Sequence, residues 1–234
     1  MWTTNPILGF DTETTGIDPA ADRLVTCSVI VVDGEKVTKH YWLADPGVEI
    51  PLQAQNVHGI STEQARREGR PIREVLEEVA QLLADHMALG YPVVAFNASY
   101  DLTLIESELA RHGLPTLEER LEREIGPVVD PYMLDRSVDR YRRGQRRLEN
   151  LAQHYGVAQE DAFHNAEADV LATLRVLGAM LRRFPELAEE SWDALMERQS
   201  RAYAEFINFI ASRNRAKGKS FNEPIGWPVA KATH

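Results

Sequence analysis

The first 45 residues show the hydrophobic pattern of three strands. Residues 6–10 are mostly apolar, residues 24–32 are rich in β-branched side chains, and residues 37–43 mix Val, Thr, Tyr and Trp. Between the second and third runs, the Asp33-Gly34 pair favours a tight turn of type I′, which needs positive φ. The pattern therefore predicts an antiparallel meander of three strands.

Beyond residue 50 the period of the apolar positions becomes helical. Ser61 and Gln64 have the spacing of a capping box, and Pro71 is placed to begin a longer amphipathic helix. Short apolar runs at 93–96 and 128–129 then alternate with helical patterns. Strand–helix alternation of this kind adds parallel strands through right-handed crossovers. We therefore predict an α/β fold with a mixed sheet, three antiparallel plus two parallel strands, flanked by helices.

The C-terminal part of the chain has a different character. Helical patterns at 147–155 and 166–184 end at Pro185, after which apolar residues recur at helical spacing over 189–210. We expect a main domain over residues 1–184 and a helical C-terminal extension with a tail over residues 185–234. An extension of this size is too short to form its own core. Its apolar face must pack on the main domain, a second copy or another protein.

Composition narrows the class of protein. The 234 residues include 26 Lys and Arg against 36 Asp and Glu, a net charge of −10, and 44% are hydrophobic, which excludes a disordered or collagen-like chain. The single cysteine, Cys27, excludes an intrachain disulfide and fits a reducing compartment, so a cytoplasmic location is expected. No apolar run approaches the ~20 residues of a membrane span, and we expect no membrane association. Such acidity disfavours nucleic-acid binding unless metal ions or local basic patches intervene.

Acidic residues follow two predicted strands and begin one helix. Asp11 and Glu13 lie two apart at the end of the first strand, so they share a face about 7 Å apart along the chain. Asp101 follows the strand at 93–96, and Asp169 lies one turn into a helix. Residues five apart on a helix point in different directions, so His164 should lie on the loop before that helix. Each residue taken alone also fits a solvated strand end, a first-turn acid or a surface histidine.

Five segments together carry a resemblance. The sequence contains, in order, FDTETTG, NVHGIST, VVAFNASYDLTLIESEL, RRLENLAQHYGV and HNAEADVLATLRVL. Over about residues 5–181 it resembles the DnaQ-like DEDD exonucleases, in the subclass with a histidine five residues before the last aspartate. The resemblance implies a ribonuclease H-like fold and two Mg²⁺ or Mn²⁺ ions. The four acids it assigns as metal ligands and the histidine it assigns as general base are Asp11, Glu13, Asp101, Asp169 and His164.

The resemblance also implies an activity and a substrate-binding turn. It implies hydrolysis of phosphodiesters from the 3′ end of single-stranded or frayed DNA, releasing 5′-mononucleotides in proofreading or repair. Tyr100 stands where Phe is usual, a departure expected to affect packing more than chemistry. The residues expected to contact or flank the terminal nucleotide are Thr14, Thr15, Gly16, His58 and Asn97.

Alternatives remain open at this point. One is an exoribonuclease, because discrimination between DNA and RNA depends on contacts to the 2′-hydroxyl. Another is a non-catalytic module that docks on a DNA polymerase, or on a second copy, through the helix at 189–210. Two basic stretches could contact phosphates or be solvated faces. One, 136–147, holds six arginines and one aspartate, and the other, 213–219, holds two arginines and two lysines.

Overall fold

The computed structural model describes residues 2–157, 166–219 and 226–230 and contains a six-stranded mixed sheet. The strand order is β4-β3-β2-β1-β5-β6, with β1, β2 and β3 antiparallel and each remaining pair parallel. This confirms the predicted meander with two added parallel strands; the short strand beside β3 was not expected. The strands are β1 (Ile7–Thr14), β2 (Leu24–Asp33), β3 (Lys36–Asp45), β4 (Arg70–Pro71), β5 (Val93–Val94) and β6 (Val128–Val129).

Helices cover both faces of the sheet. The third and fourth helices pack against β1 and β2 in the larger buried cluster, whereas the seventh and eighth bury a second cluster on the other face. The helices of the described chain are α1 (Leu52–His58), α2 (Thr62–Glu68), α3 (Ile72–Ala88), α4 (Ala98–Arg111), α5 (Leu117–Leu121), α6 (Pro131–Val138), α7 (Leu148–His154), α8 (Ala166–Arg183), α9 (Glu186–Glu189) and α10 (Trp192–Ala216). None of them is long and apolar enough to span a bilayer.

Two local predictions can be compared with the backbone. The Ser61 hydroxyl accepts a hydrogen bond from the Gln64 N–H at 3.1 Å, which confirms the predicted cap of α2. The β2–β3 hairpin is also present, but Asp33 pairs with Lys36, so its two-residue turn is Gly34-Glu35. Gly34 has φ 59°, whereas Glu35 is not among the described residues with positive φ. The type I′ assignment was therefore wrong, because Asp33 stays in the ladder and one glycine supplies the left-handed position.

The C-terminal helix α10 packs on the rest of the chain. Its Leu195 is fully buried in the cluster that contains α7 and α8, and its Tyr203 and Ile207 pack on Met133 of α6. The Gln199 side chain bonds the backbone of edge strand β6 and the residue that follows it, accepting from the Asp130 N–H at 2.6 Å and donating to the Val128 carbonyl at 3.0 Å. A boundary at residue 184 stays a prediction.

Candidate active site

Three acidic side chains converge on one face of β1. Asp11, Glu13 and Asp169 each offer a carboxylate oxygen, and these oxygens lie within 4.8 Å of one another. Asp11 and Glu13 alternate along β1 with buried threonines, and Asp169 lies in the first turn of α8. The helix approaches closely because β1 has a glycine at this contact: a Cβ on Gly9 would lie 2.8 Å from the Val170 side chain. Strand alternation and this glycine together place three acids from two elements at one point.

Asp101 lies beside this group but faces Thr12. Its Oδ1 accepts hydrogen bonds from the Thr12 N–H at 3.1 Å and from the Thr12 hydroxyl at 2.6 Å. It is buried in the first turn of α4, and its charge contributes to the raised pKa of Asp11. The start of α4 is held by Asp130, whose carboxylate accepts from the N–H groups of Asn97 at 3.0 Å and Ala98 at 3.1 Å. The fourth acid is thus fixed by β1 on one side and by the end of β6 on the other.

Burial and repulsion by neighbouring acids raise the pKa values of Asp11, Glu13 and Asp101. Burial is the largest cause for each, and the neighbouring acids add to it for Asp11 and Glu13. The pKa of Glu13 rises to about 7, that of Asp101 to about 7, and that of Asp11 lies well above its ordinary value. Burial likewise raises the pKa of the nearby Cys27 thiol above its ordinary value. An all-oxygen donor set fits a hard divalent cation, which would offset the repulsion.

The turn after β1 is held by a compact set of hydrogen bonds. The hydroxyls of Thr14 and Tyr100 lie 2.7 Å apart, and each lies 2.7 Å from the Gly16 carbonyl oxygen. The Thr15 hydroxyl donates to Asp22 at 2.7 Å. Any side chain at position 16 would collide with Asp22, since a Cβ there would lie 2.5 Å from its carboxylate. The tyrosine that departs from the family pattern therefore ties α4 to this turn through its hydroxyl.

The other two expected substrate-binding residues flank the same turn. His58 is half-buried, and its Nδ1 accepts from the Ile60 N–H at 3.1 Å, so it braces its own loop. Burial lowers the pKa of His58, against a smaller opposing effect of the Thr14 backbone. Asn97 adopts a left-handed conformation with φ 64° directly before α4. The expected general base, His164, lies outside the described residues.

The basic stretch at 136–147 offers fewer arginines for phosphate binding than its sequence suggests. Arg142 and Arg146 both pair with the buried carboxylate of Asp135. The Arg136 guanidinium lies 3.7 Å from the centroid of the Phe206 ring. Half of the six arginines are therefore engaged inside the fold, a consequence of packing that charge counting does not reveal.

Comparison with known proteins assigns the family. Residues 8–177 match the family model described as Exonuclease (RNase_T). The chain belongs to this exonuclease family. It is 26% identical over 174 residues to the DNA polymerase III subunit epsilon of Treponema pallidum, and the match covers 74% of each protein. It is 26% identical over 172 residues to the PolC-type DNA polymerase III of Lacticaseibacillus paracasei, but spans only 11% of that protein.

Solved structures of exonuclease I share the fold of this exonuclease-family chain. An Escherichia coli exonuclease I complex with ssDNA superposes with a TM-score of 0.65 at 20% identity, covering 80% of this chain and 42% of the other. Exonuclease I of Methylocaldum szegediense gives a TM-score of 0.65 at 22% identity, covering 88% and 46%. These likenesses confirm the predicted ribonuclease H-like fold.

Sequence reasoning missed several supporting residues. Thr12 holds Asp101, and Asp130 holds the start of α4. The Asp130-Pro131 pair is a recognisable helix start, and the Asp130 carboxylate indeed accepts from the Tyr132 N–H at 2.9 Å. Its second role, across to α4, had no local signal. Ile17, 91% exposed directly after the turn, also received no role.

Proposed function

We propose that this protein is a metal-dependent 3′–5′ exonuclease that releases 5′-mononucleotides from single-stranded or frayed DNA ends, in proofreading or repair. The observation that carries the proposal is the convergence of three carboxylates within 4.8 Å on one face of β1, with Asp101 beside them. Membership of the exonuclease family supports the reaction class. The proposed ligands of two Mg²⁺ or Mn²⁺ ions are Asp11, Glu13, Asp101 and Asp169.

The proposed site residues have two roles, metal binding and proton transfer. Divalent ions held by these acids would orient the reacting oxygens and offset the charge that builds on phosphorus. Asp11 and Glu13 come from a strand in the centre of the sheet, so their carboxylates are presented by rigid backbone. His164 is the proposed general base that accepts the proton of the attacking water, a role worth ~10²- to 10⁴-fold in rate. Its assignment rests on its sequence position before α8.

The turn at Thr14–Gly16 is the proposed contact for the terminal sugar and 3′-hydroxyl. Its hydrogen bonds to Tyr100 and Asp22 make it rigid before any ligand arrives, which lowers the ordering cost of binding. Asn97 and His58 flank it. Support for DNA comes from the similar exonuclease I structures, which include complexes with ssDNA and with a dA16 oligonucleotide.

A DNA polymerase is the proposed partner class, supported by the sequence similarity of this chain to DNA polymerase III proteins. The predicted alternative was docking through the 189–210 helix. Much of the apolar side of that helix packs on α6 and β6, which leaves Phe209 as its large exposed apolar side chain among the described residues. Polymerase binding is therefore proposed for the protein without assigning it to this helix.

Product analysis tests the function. Matched 3′-labelled DNA and RNA oligonucleotides are incubated with the full chain, with and without EDTA, and the products identified by mass spectrometry. We expect labelled 5′-mononucleotides from DNA, slower release from RNA, and none in EDTA. Asp169→Asn should abolish release, whereas Asp193→Asn, which changes a first-turn acid of α10, serves as the matched control. A folded Asp169→Asn protein with near-normal activity, or faster release from RNA, would overturn the corresponding part of the proposal.

A further inference from the structure

An open cleft of about 1400 Å³ begins beside the turn after β1 and runs to the C-terminal half of α10. At its near end it is lined by Ile17, Asn97 and Tyr100, of which Tyr100 bonds the turn directly. At its far end it is lined by Phe209 and Arg213 of α10. We call it the arginine–aromatic cleft. The cleft therefore adjoins the Thr14–Gly16 turn through Ile17, the next residue, and through Tyr100.

The walls of this cleft have a charge opposite to that of the chain. They include six arginines and two acids, Asp18 and Glu205, in a protein with net charge −10. They also carry two strongly exposed aromatic rings, Tyr141 at 86% and Phe209 at 61%. Grooves that combine basic side chains with exposed rings suit single-stranded nucleic acid, because phosphates pair with cations and bases stack on rings.

Three of the lining arginines brace the cleft. Asp135 of α6 pairs with Arg142 and Arg146, and Arg146 also donates to the Asp139 carbonyl at 2.6 Å. Arg136, the next residue of α6, stacks against Phe206 and so joins α6 to α10. Three of the lining arginines therefore shape the cleft.

Of the outer arginines, Arg140 lies 3.4 Å from Glu205 and Arg147 lies 3.8 Å from Glu149. These ion pairs are exposed and therefore weak, so a phosphate can displace the carboxylate.

We propose that the arginine–aromatic cleft binds the stretch of single strand that leads to the 3′ end, an inference that rests on the proposed function. Bases stack on Tyr141 and Phe209. Phosphates pair with Arg213 and with Arg140, where a phosphate takes the place of the exposed Glu205 carboxylate. From Tyr203 to Arg213, α10 spans ~15 Å at 1.5 Å per residue. That length corresponds to about four nucleotides at ~3.4 Å each in a stacked strand. The C-terminal extension would then be the part of the chain that sets how many nucleotides are held.

A length series tests this assignment by hydrolysis. The full chain is assayed on oligothymidylates of two to eight nucleotides. We expect kcat/KM to rise up to about five nucleotides, the terminal one plus about four in the cleft, and then to level off. The double variant Phe209→Ala/Arg213→Ala should lose at least about fivefold in kcat/KM on the octamer, the effect of one lost stacked base. Its loss on the dimer should be much smaller. Arg201→Ala is the matched control, because Arg201 is on the same helix, pairs with Glu197 and does not line the cleft.

A binding arm separates failure of the cleft from failure of the proposed function. Fluorescein-labelled octathymidylate is titrated by anisotropy into Asp11→Asn protein with and without the two cleft substitutions. The substitutions should weaken binding, which raises Kd, and reduce the slope of log Kd against log salt by about 0.7 for the lost phosphate contact.

The outcomes distinguish the two proposals. If oligonucleotides are hydrolysed but both the length dependence and Kd are unchanged by the substitutions, the cleft assignment is overturned and the nuclease assignment stands. If nothing is hydrolysed but octamer binding depends on the cleft, the nuclease falls and the cleft stands. Circular dichroism confirms that the double variant is folded. If this folded variant matches the Arg201→Ala control in both the hydrolysis and the binding experiment, the cleft assignment is wrong.

Discussion

Replacing Asp11 with asparagine should make the metal-free protein more stable at pH 8. The carboxylate oxygens of Asp11, Glu13 and Asp169 lie within 4.8 Å of one another. At that separation, two ionised carboxylates repel by ~3.5 kcal/mol at an effective dielectric constant of about 20. Because partial protonation and water access reduce this figure, we expect a net gain of about 2 kcal/mol. For a chain of this size that gain raises Tm by ~4 to 8 °C.

The pH dependence of this effect has a definite sign. With pKa values raised to about 7, Glu13 and Asp101 bind protons in the folded state that the unfolded chain has already released above about pH 4.5. The free energy of unfolding of the metal-free protein therefore falls as pH rises through this window and is lowest above pH 7. The Asp11→Asn variant should show a smaller fall. Mg²⁺ should flatten the dependence in the wild type, because a bound cation favours the ionised carboxylates.

Thermal unfolding followed by circular dichroism measures both effects. Wild type, Asp11→Asn and the control Asp193→Asn are melted from pH 5 to 9, in EDTA or in excess Mg²⁺. We expect Asp11→Asn to melt above the wild type in EDTA at pH 8 and to gain less from Mg²⁺. The reasoning is refuted if Asp11→Asn is the less stable protein in EDTA at pH 8, or if Mg²⁺ raises the Tm of both proteins equally.

Three further substitutions probe the contacts that support the site. Thr12→Val removes the 2.6 Å bond to Asp101 and should lower activity ~10- to 100-fold; steady-state rates equal to wild type would contradict it. Gln199→Leu leaves two buried backbone groups unpaired and should cost ~2 to 4 kcal/mol in urea unfolding, an expectation that an unchanged midpoint would disprove. Asp135→Asn weakens the pairing of two buried arginines and should cost ~3 kcal/mol, whereas an unshifted Tm would argue against it.

The elements that the sequence predicted well are those with a strong local period. The β1–β2–β3 meander follows from β-branched runs, and α3 and α8 follow from apolar residues at helical spacing. The pairing of Asp11 with Glu13 on one face needed only strand alternation. These are short-range properties, so a single sequence is enough to read them.

The parts that the sequence did not predict depend on contacts distant along the chain. Strand β4 has two residues and exists because it pairs with β3. Asp130 reaches α4, and Gln199 reaches the end of β6 across about 70 residues. The arginines at 142 and 146 look like a basic surface in the sequence, but Asp135 engages them. Each of these features is decided by tertiary packing, which local patterns do not encode.

The most direct test of the central claim is a crystal structure of the protein soaked with Mn²⁺ and a 5′-mononucleotide, with anomalous scattering recorded for manganese. We expect two manganese peaks bounded by the carboxylates of Asp11, Glu13, Asp101 and Asp169, next to the phosphate of the nucleotide. The account is contradicted if no manganese peak appears at these carboxylates at a saturating Mn²⁺ concentration, although the same protein hydrolyses DNA in solution.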